Sequence, residues 1–159
     1  MVVQMRIPYT ELVRLCLDKA LETSTNWKSK LLKTLFFSLR SWFFDVQYDT
    51  CSLEELHTAL KEFKQIIESY GIEYIPDSFD CDDYASAFKS WFTLITRKNS
   101  VGIAIGKVYY NGVPLGYHAW NIVLLTGGVL AFVEPQIFEV FTSNVSPDGF
   151  IYELETVIW

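Results

Sequence analysis

The chain has 159 residues, of which 50% are hydrophobic and 20% are charged. This composition excludes a disordered chain and suits a sizeable core, so we expect one domain over residues 1–159. The formal net charge of −6 argues against a nucleic-acid binder, because such proteins normally present a basic surface. We therefore expect no nucleic-acid partner.

No targeting or membrane segment is recognisable in the sequence. Residues 1–9 lack the charged start and continuous apolar run of a signal peptide, and no apolar run reaches the roughly 20 residues that a spanning helix needs. The three cysteines are odd in number and scattered, which is not the pattern of a disulfide framework. We expect a cytoplasmic protein with reduced thiols and no transmembrane segment.

The chain begins with helical patterns. Ser52 and Glu55 form an S-x-x-E capping box, and Gly71 ends the helix that follows it. Apolar residues recur at steps of three and four in four segments, residues 10–21, 26–44, 53–70 and 80–96.

The second of these helices is basic. It carries Lys28, Lys30, Lys33 and Arg40 and no acidic residue. Such a helix either lies on a membrane surface or an acidic partner, or is a core helix with a solvated basic face. The core helix is the commoner arrangement.

The second half of the chain predicts antiparallel strands. Asn111–Gly112 and Gly127–Gly128 are typical of tight hairpin turns. Helices followed by antiparallel strands indicate an α+β fold, with a helical part at 1–71 and a helix plus sheet at 72–159. The predicted strands are residues 101–110, 117–125, 129–133, 137–142 and 150–159.

Cys81 stands in the first turn of the fourth predicted helix, where the helix dipole favours a thiolate. A nucleophilic thiol needs a base that accepts its proton and a third group that orients the base. His118 begins an apolar strand, and Glu134 ends the returning strand, so these two are the candidates. Each of the three also fits a structural role, as a core cysteine, a core histidine and an exposed strand-end carboxylate.

The hairpin register tests this arrangement. A two-residue turn at Gly127–Gly128 would point His118 and Glu134 to opposite faces of the sheet. A three-residue loop would instead pair Leu125 with Val129, which brings His118 and Glu134 to one face. The catalytic hypothesis therefore predicts the three-residue loop.

Three short motifs occur in this order along residues 72–142: Asp80–Cys81–Asp82–Asp83, His118–Ala119–Trp120–Asn121 and Glu134–Pro135–Gln136. Together they resemble the papain-like cysteine peptidases, and most of all the calcium-activated protease domains attached to fungal agglutinins. The resemblance implies a papain-like fold in which Cys81 is the nucleophile, His118 the base and Glu134 the third member of a triad.

The resemblance also implies a protein or peptide substrate and a site lined by Trp120. Papain-like enzymes carry a glutamine shortly before the nucleophile, and this chain has none there, so Gln136 is the candidate oxyanion donor. Acidic groups beside Cys81 would disfavour a thiolate, and a bound divalent cation would reverse that field. We therefore expect Ca²⁺ at Asp82, Asp83 and Glu134.

The expected activity is that of a cysteine hydrolase. Two alternatives remain open from the sequence. A transglutaminase-like acyl transferase needs the same three residues. A non-catalytic binding or assembly module would keep the fold without the reaction.

Overall fold

The computed structural model describes residues 5–159, so the first four residues of the predicted helical part, 1–71, lie outside the described range. The α+β class is confirmed. Within residues 5–159 the chain forms four helices, α1 (Tyr9–Leu21), α2 (Trp27–Arg40), α3 (Leu53–Ser69) and α4 (Cys81–Thr96).

Two sheets accompany the helices. Strands β1 (Arg6–Pro8) and β2 (Gln47–Asp49) form a small antiparallel pair. The main sheet is antiparallel with the order β6-β5-β4-β3-β7. Its strands are β3 (Val101–Tyr110), β4 (Val113–Leu125), β5 (Val129–Glu134), β6 (Glu139–Phe141) and β7 (Phe150–Ile158).

Helices cover both faces of the main sheet, which explains why β5 and the second half of β4 are mostly apolar. On one face, Trp120 and Ile122 pack in the core cluster that contains Leu12 of α1 and Phe37 of α2. On the other face, Val123 packs in a second cluster with residues of α3 and α4. Alternate residues of one strand thus enter two different cores.

The third helix has the ends that its sequence predicts. The capping box of Ser52 and Glu55 is present, with Glu55 N donating to Ser52 Oγ at 3.1 Å and Ser52 N donating to the Glu55 carboxylate at 2.8 Å. Gly71 has φ of +61°, the left-handed conformation that ends helices.

The second helix is shorter than predicted. It ends at Arg40, because the next residues join the sheet instead: Trp42 N donates to Val157 O, and Trp159 N donates to Trp42 O, both at 2.8 Å. The apolar spacing that suggested a helix to residue 44 reflects this pairing with β7 and the packing of Phe43 on the core.

The β4–β5 hairpin has the register that the catalytic hypothesis requires. Leu125 pairs with Val129, and Asn121 pairs with Val133. The connection is therefore the three-residue loop Thr126–Gly127–Gly128, and both glycines have positive φ. The predicted loop is confirmed.

No helix among residues 5–159 is long and apolar enough to cross a membrane.

Candidate functional site

Cys81 is the first residue of α4 and is partly exposed. Asp80 caps the helix together with Asp83, whose Oδ2 accepts a hydrogen bond from Asp80 N at 3.2 Å. The hydrogen bond between the Asp80 and Asp82 carboxyl groups lowers the pKa of Asp80 and raises that of Asp82. The helix start thus places one thiol between three acidic side chains.

His118 and Glu134 form a close pair. His118 Nε2 lies 2.6 Å from Glu134 Oε2, with the histidine side chain 21% exposed and the glutamate side chain 4% exposed. The pair joins β4 to the last residue of β5. The third residue of the predicted triad is therefore at the place that the register argument requires.

Further donors hold the Glu134 carboxylate. The hydroxyl of Tyr152 donates to Oε2 at 3.2 Å, and the backbone N–H of Gln136 donates to Oε1 at 3.4 Å. Burial raises the pKa of Tyr152, and the adjacent Glu134 raises it further, so this hydroxyl remains a donor. A buried carboxylate with three donors is fixed in orientation.

The pKa of His118 is about 9, above its ordinary value of 6.5. Burial by itself lowers it, but hydrogen bonds and charge from Cys81 and Glu134 raise it by more. Because Glu134 occupies Nε2, Nδ1 is the ring nitrogen left for the Cys81 side chain. At neutral pH the imidazole is therefore protonated, between the Glu134 carboxylate and the Cys81 sulfur.

A cavity of about 430 Å³ opens beside this pair. His118, Glu134, Gln136 and Tyr152 line it, and Cys81 is not among its lining residues in the described range. The side-chain Nε2 of Gln136 is buried with no hydrogen-bond partner within residues 5–159. Gln136 therefore lines the cavity with an amide nitrogen that is unpartnered but shielded from solvent, so this nitrogen reaches a ligand only after the side chain rotates.

The predicted role of Trp120 as a lining residue is wrong. Its side chain is fully buried, and its ring stacks on that of His118 at a centroid distance of 6.2 Å and an interplanar angle of 19°. It supports the imidazole from the core. It lies two residues from His118 on the same face of β4, which is why the sequence pattern suggested the wrong role.

The three expected calcium ligands do not form one group in the described part of the chain. Glu134 is engaged by His118, and Asp83 caps the helix. The group whose ligand atoms lie within 4.8 Å of one another is Asp80, Cys81 and Asp82. Any cation at this site would therefore bind at the start of α4 and apart from Glu134.

Asn121, the last residue of the motif His118–Ala119–Trp120–Asn121, holds α4 against the sheet, a role that the motif did not predict. It is fully buried, and its Nδ2 donates to Ala85 O at 2.8 Å and to Gly102 O at 3.2 Å. Ala85 lies one turn after Cys81, so this amide fastens the start of α4 to the sheet. A polar residue inside the apolar run of β4 was the available signal.

Solved structures similar to this chain come from the lectin of Polyporus squamosus. One is described as a PSL1a–E64 complex, with 17% sequence identity and a TM-score of 0.68, and covers 97% of this chain and 51% of that one. Another is this lectin bound to a human-type influenza-binding epitope, Neu5Aca2-6Galb1-4GlcNAc, with 17% identity, a TM-score of 0.65 and coverage of 97% and 49%. The chain spans about half the length of these structures.

No family model matches this chain. No curated protein matches it either.

These comparisons overturn the assignment to the papain-like cysteine peptidases. The similar structures carry the name of a lectin, and neither family models nor curated proteins supply a peptidase relative. The expected activity as a hydrolase and thiol protease, which depended on that assignment, is therefore also wrong. At 17% identity the likeness shows the fold alone.

Proposed function

We propose that this domain is a binding module whose ligand, a carbohydrate, occupies the cavity beside His118. The support from outside the chain is that a similar structure is a lectin solved with a bound trisaccharide epitope. That chain is about twice as long as this one, so the proposal depends on the cavity itself.

The lining of the cavity suits a sugar. Tyr117, Phe150 and Tyr152 supply aromatic rings, against which the apolar face of a sugar ring packs. Asp148 and Gln136 supply an acceptor and a donor for hydroxyl groups. The observation that carries the proposal is the cavity of about 430 Å³ itself, in which aromatic rings lie beside polar side chains.

Calorimetric titration with Neu5Aca2-6Galb1-4GlcNAc, followed by a panel of other glycans, tests this proposal. We expect saturable binding that Gln136→Ala weakens about fivefold, because one hydrogen bond is worth about 1 kcal/mol. Gln65→Ala on the exposed surface of α3 is the matched control and should leave binding unchanged. Absence of glycan binding, or equal binding by both variants, would contradict the proposal.

A second candidate function is thiol-dependent acyl transfer to an amine. The observation that favours it is the 2.6 Å contact between His118 Nε2 and Glu134 Oε2, with Cys81 beside the same imidazole. The proton on the His118 imidazolium is the one that the Cys81 thiol has given up, and the resulting thiolate attacks an amide carbonyl. The leaving ammonia takes that proton, and an incoming amine then displaces the thiol from the thioester.

Mass spectrometry distinguishes this second function from binding alone. A labelled primary amine and a glutamine peptide should give a coupled product with the wild-type chain and none with Cys81→Ser. His57→Asn is the control for His118→Asn, since His57 is exposed on α3. E64, which PSL1a binds, should add its mass to the Cys81 peptide.

The same reactions run with calcium and with a chelator test the predicted metal requirement. Coupling that is equal in both conditions would exclude calcium from the reaction. An unmodified Cys81 and no coupled product would leave the binding function as the only candidate.

A further inference from the structure

Helix α2 presents its apolar face to solvent. Phe37 is its one fully buried residue. The opposite side carries six large apolar side chains, and Leu31 and Leu39 are 62% and 69% exposed. At 100° per residue these six cover one half of the helix surface: Trp27, Leu31, Leu32, Leu35, Phe36 and Leu39.

The exposed apolar surface continues past the end of the helix. Trp42, Phe44 and Val46 are 60%, 72% and 82% exposed. Monomeric proteins rarely expose contiguous apolar patches of this kind unless a partner covers them. Trp27 and Trp42 mark the two ends of the segment, and tryptophan is favoured where an apolar phase meets water.

Basic groups accompany this surface without acidic ones. Lys28, Lys30 and Arg40 form no ion pair with any residue in the range 5–159, whereas Lys33 is held by Glu153. Lys28 lies at the centre of the apolar arc, with Nζ 5.7 Å from the centroid of the Trp27 ring. In a chain of net charge −6, residues 26–44 are therefore a locally positive segment.

The positions of these charges distinguish a lipid bilayer from a second copy of the chain as the surface that covers the helix. In a two-fold symmetric dimer the same patch meets itself, so Lys28, at the centre of the arc, would enter the contact from both copies. Lys28 would then be buried in an apolar contact without an acid. An anionic bilayer receives both kinds of group, since its interior takes the apolar side chains and its phosphates take the amino groups of lysines that extend outward.

We propose that α2 and residues 41–46 dock this domain on the surface of an anionic lipid bilayer. The helix lies in the plane of the interface, with Trp27, Leu31, Leu35 and Leu39 inserted and Lys28 reaching the phosphates. The docking surface is distant in sequence from the cavity residues and does not depend on the binding or acyl-transfer function.

Cosedimentation with vesicles tests the proposal, using phosphatidylcholine alone and phosphatidylcholine with phosphatidylserine. We expect binding to the anionic vesicles that falls with added salt. The double change Lys28→Glu and Arg40→Glu should weaken it more than tenfold, because each basic group near an anionic surface contributes about 1 kcal/mol. Lys61→Glu with Lys64→Glu on α3 changes the net charge equally and should have little effect.

A second pair of double variants tests how much the exposed apolar side chains of α2 contribute to vesicle binding. Leu35→Ser with Leu39→Ser should abolish insertion, whereas Leu94→Ser with Ile95→Ser on α4 removes comparable exposed apolar groups and should not. Absence of sedimentation with anionic vesicles would overturn the proposal. Dimers in sedimentation-velocity experiments would also overturn it, if Leu35→Ser with Leu39→Ser dissociated the dimers and left vesicle binding unchanged.

Discussion

His118 Nε2 and Glu134 Oε2 lie 2.6 Å apart, although the two residues are separated by 16 positions in the chain. The contact exists because the three-residue loop sets the register of β4 and β5 and because the donors on Glu134 fix its carboxylate. The pair leaves the second nitrogen of the imidazole for the Cys81 side chain, which joins the sheet to the start of α4.

This arrangement predicts an accelerated alkylation of Cys81. The thiolate is the reactive form, and a protonated imidazole beside it stabilises the negative charge. With a His118 pKa of about 9, that imidazole is protonated at pH 7. We expect His118→Asn to slow the reaction of Cys81 with iodoacetamide at pH 7 about tenfold, for a loss of about 1.4 kcal/mol of charge stabilisation.

Peptide mass spectrometry gives the rate at Cys81 separately from the buried Cys16 and Cys51. His57→Asn is the control and should react as the wild type does. Equal rates in His118→Asn and wild type would mean that the imidazole does not act on the thiol.

The same histidine makes stability depend on pH. A pKa of about 9 in the folded protein, against 6.5 for the ordinary group, means that the folded state binds the proton more tightly. Its contribution is complete below about pH 6.5 and is lost as the pH rises towards 9. The free energy of unfolding should fall by about 2–3 kcal/mol between pH 6 and 8.5, at 1.36 kcal/mol per pKa unit.

Urea unfolding across this range measures the slope. The series stops at pH 8.5 because burial raises the pKa values of Cys16 and Cys51, and those thiols add their own pH dependence above it. Glu134→Gln should reduce the slope, since it removes one of the two partners that raise the pKa of His118. A slope unchanged in both Glu134→Gln and His118→Asn would assign the effect to another group.

Much of the fold is readable from local patterns. The Ser52–Glu55 capping box and Gly71 bound α3 because capping is a property of a few neighbouring residues. The hairpin turn at Asn111–Gly112 is equally local, with positive φ at both residues. The pairing of Leu125 with Val129 was predictable because the catalytic hypothesis requires His118 and Glu134 on one face of the sheet.

The features that the sequence did not predict depend on distant parts of the chain. Strand β1 exists because it pairs with β2 about 40 residues later, and each strand has three residues, too few for an alternating pattern to identify it. Trp42 leaves the helical pattern to pair with β7 at the far end of the chain. The role of Trp120 depends on what covers the sheet, which spacing alone does not show.

Replacing Asn121 should affect both stability and the thiol. Asn121→Ala leaves the carbonyls of Ala85 and Gly102 without its amide, and we expect a loss of about 2 kcal/mol from the free energy of unfolding. Alkylation of Cys81 should also slow, because the first turn of α4 is no longer fastened to β4.

Asn144 provides the matched control for this prediction. It is also buried, and its Nδ2 donates to Lys19 O at 3.2 Å, away from α4. Asn144→Ala should therefore lose comparable stability with no change in the alkylation rate. Slower alkylation in both variants would show that the rate reports general loosening of the structure.

Gly106 is required where β7 approaches β3 beside the site. A Cβ at this position would lie 1.9 Å from Glu153 O, which is backbone and has no freedom to rotate away. The register of β3 and β7 shifts between Ile105 and Gly106, and Gly106 pairs with His118 on β4. Gly106→Ala should cost about 3 kcal/mol, at the upper end for overpacking, and displace β7 with Tyr152.

Gly112→Ala, at a turn with open space around it and φ of +78°, should cost about 1 kcal/mol and leave Cys81 alkylation unchanged. Equal losses in the two variants, measured by urea unfolding, would mean that β7 moves aside freely and that the close approach does not hold the site.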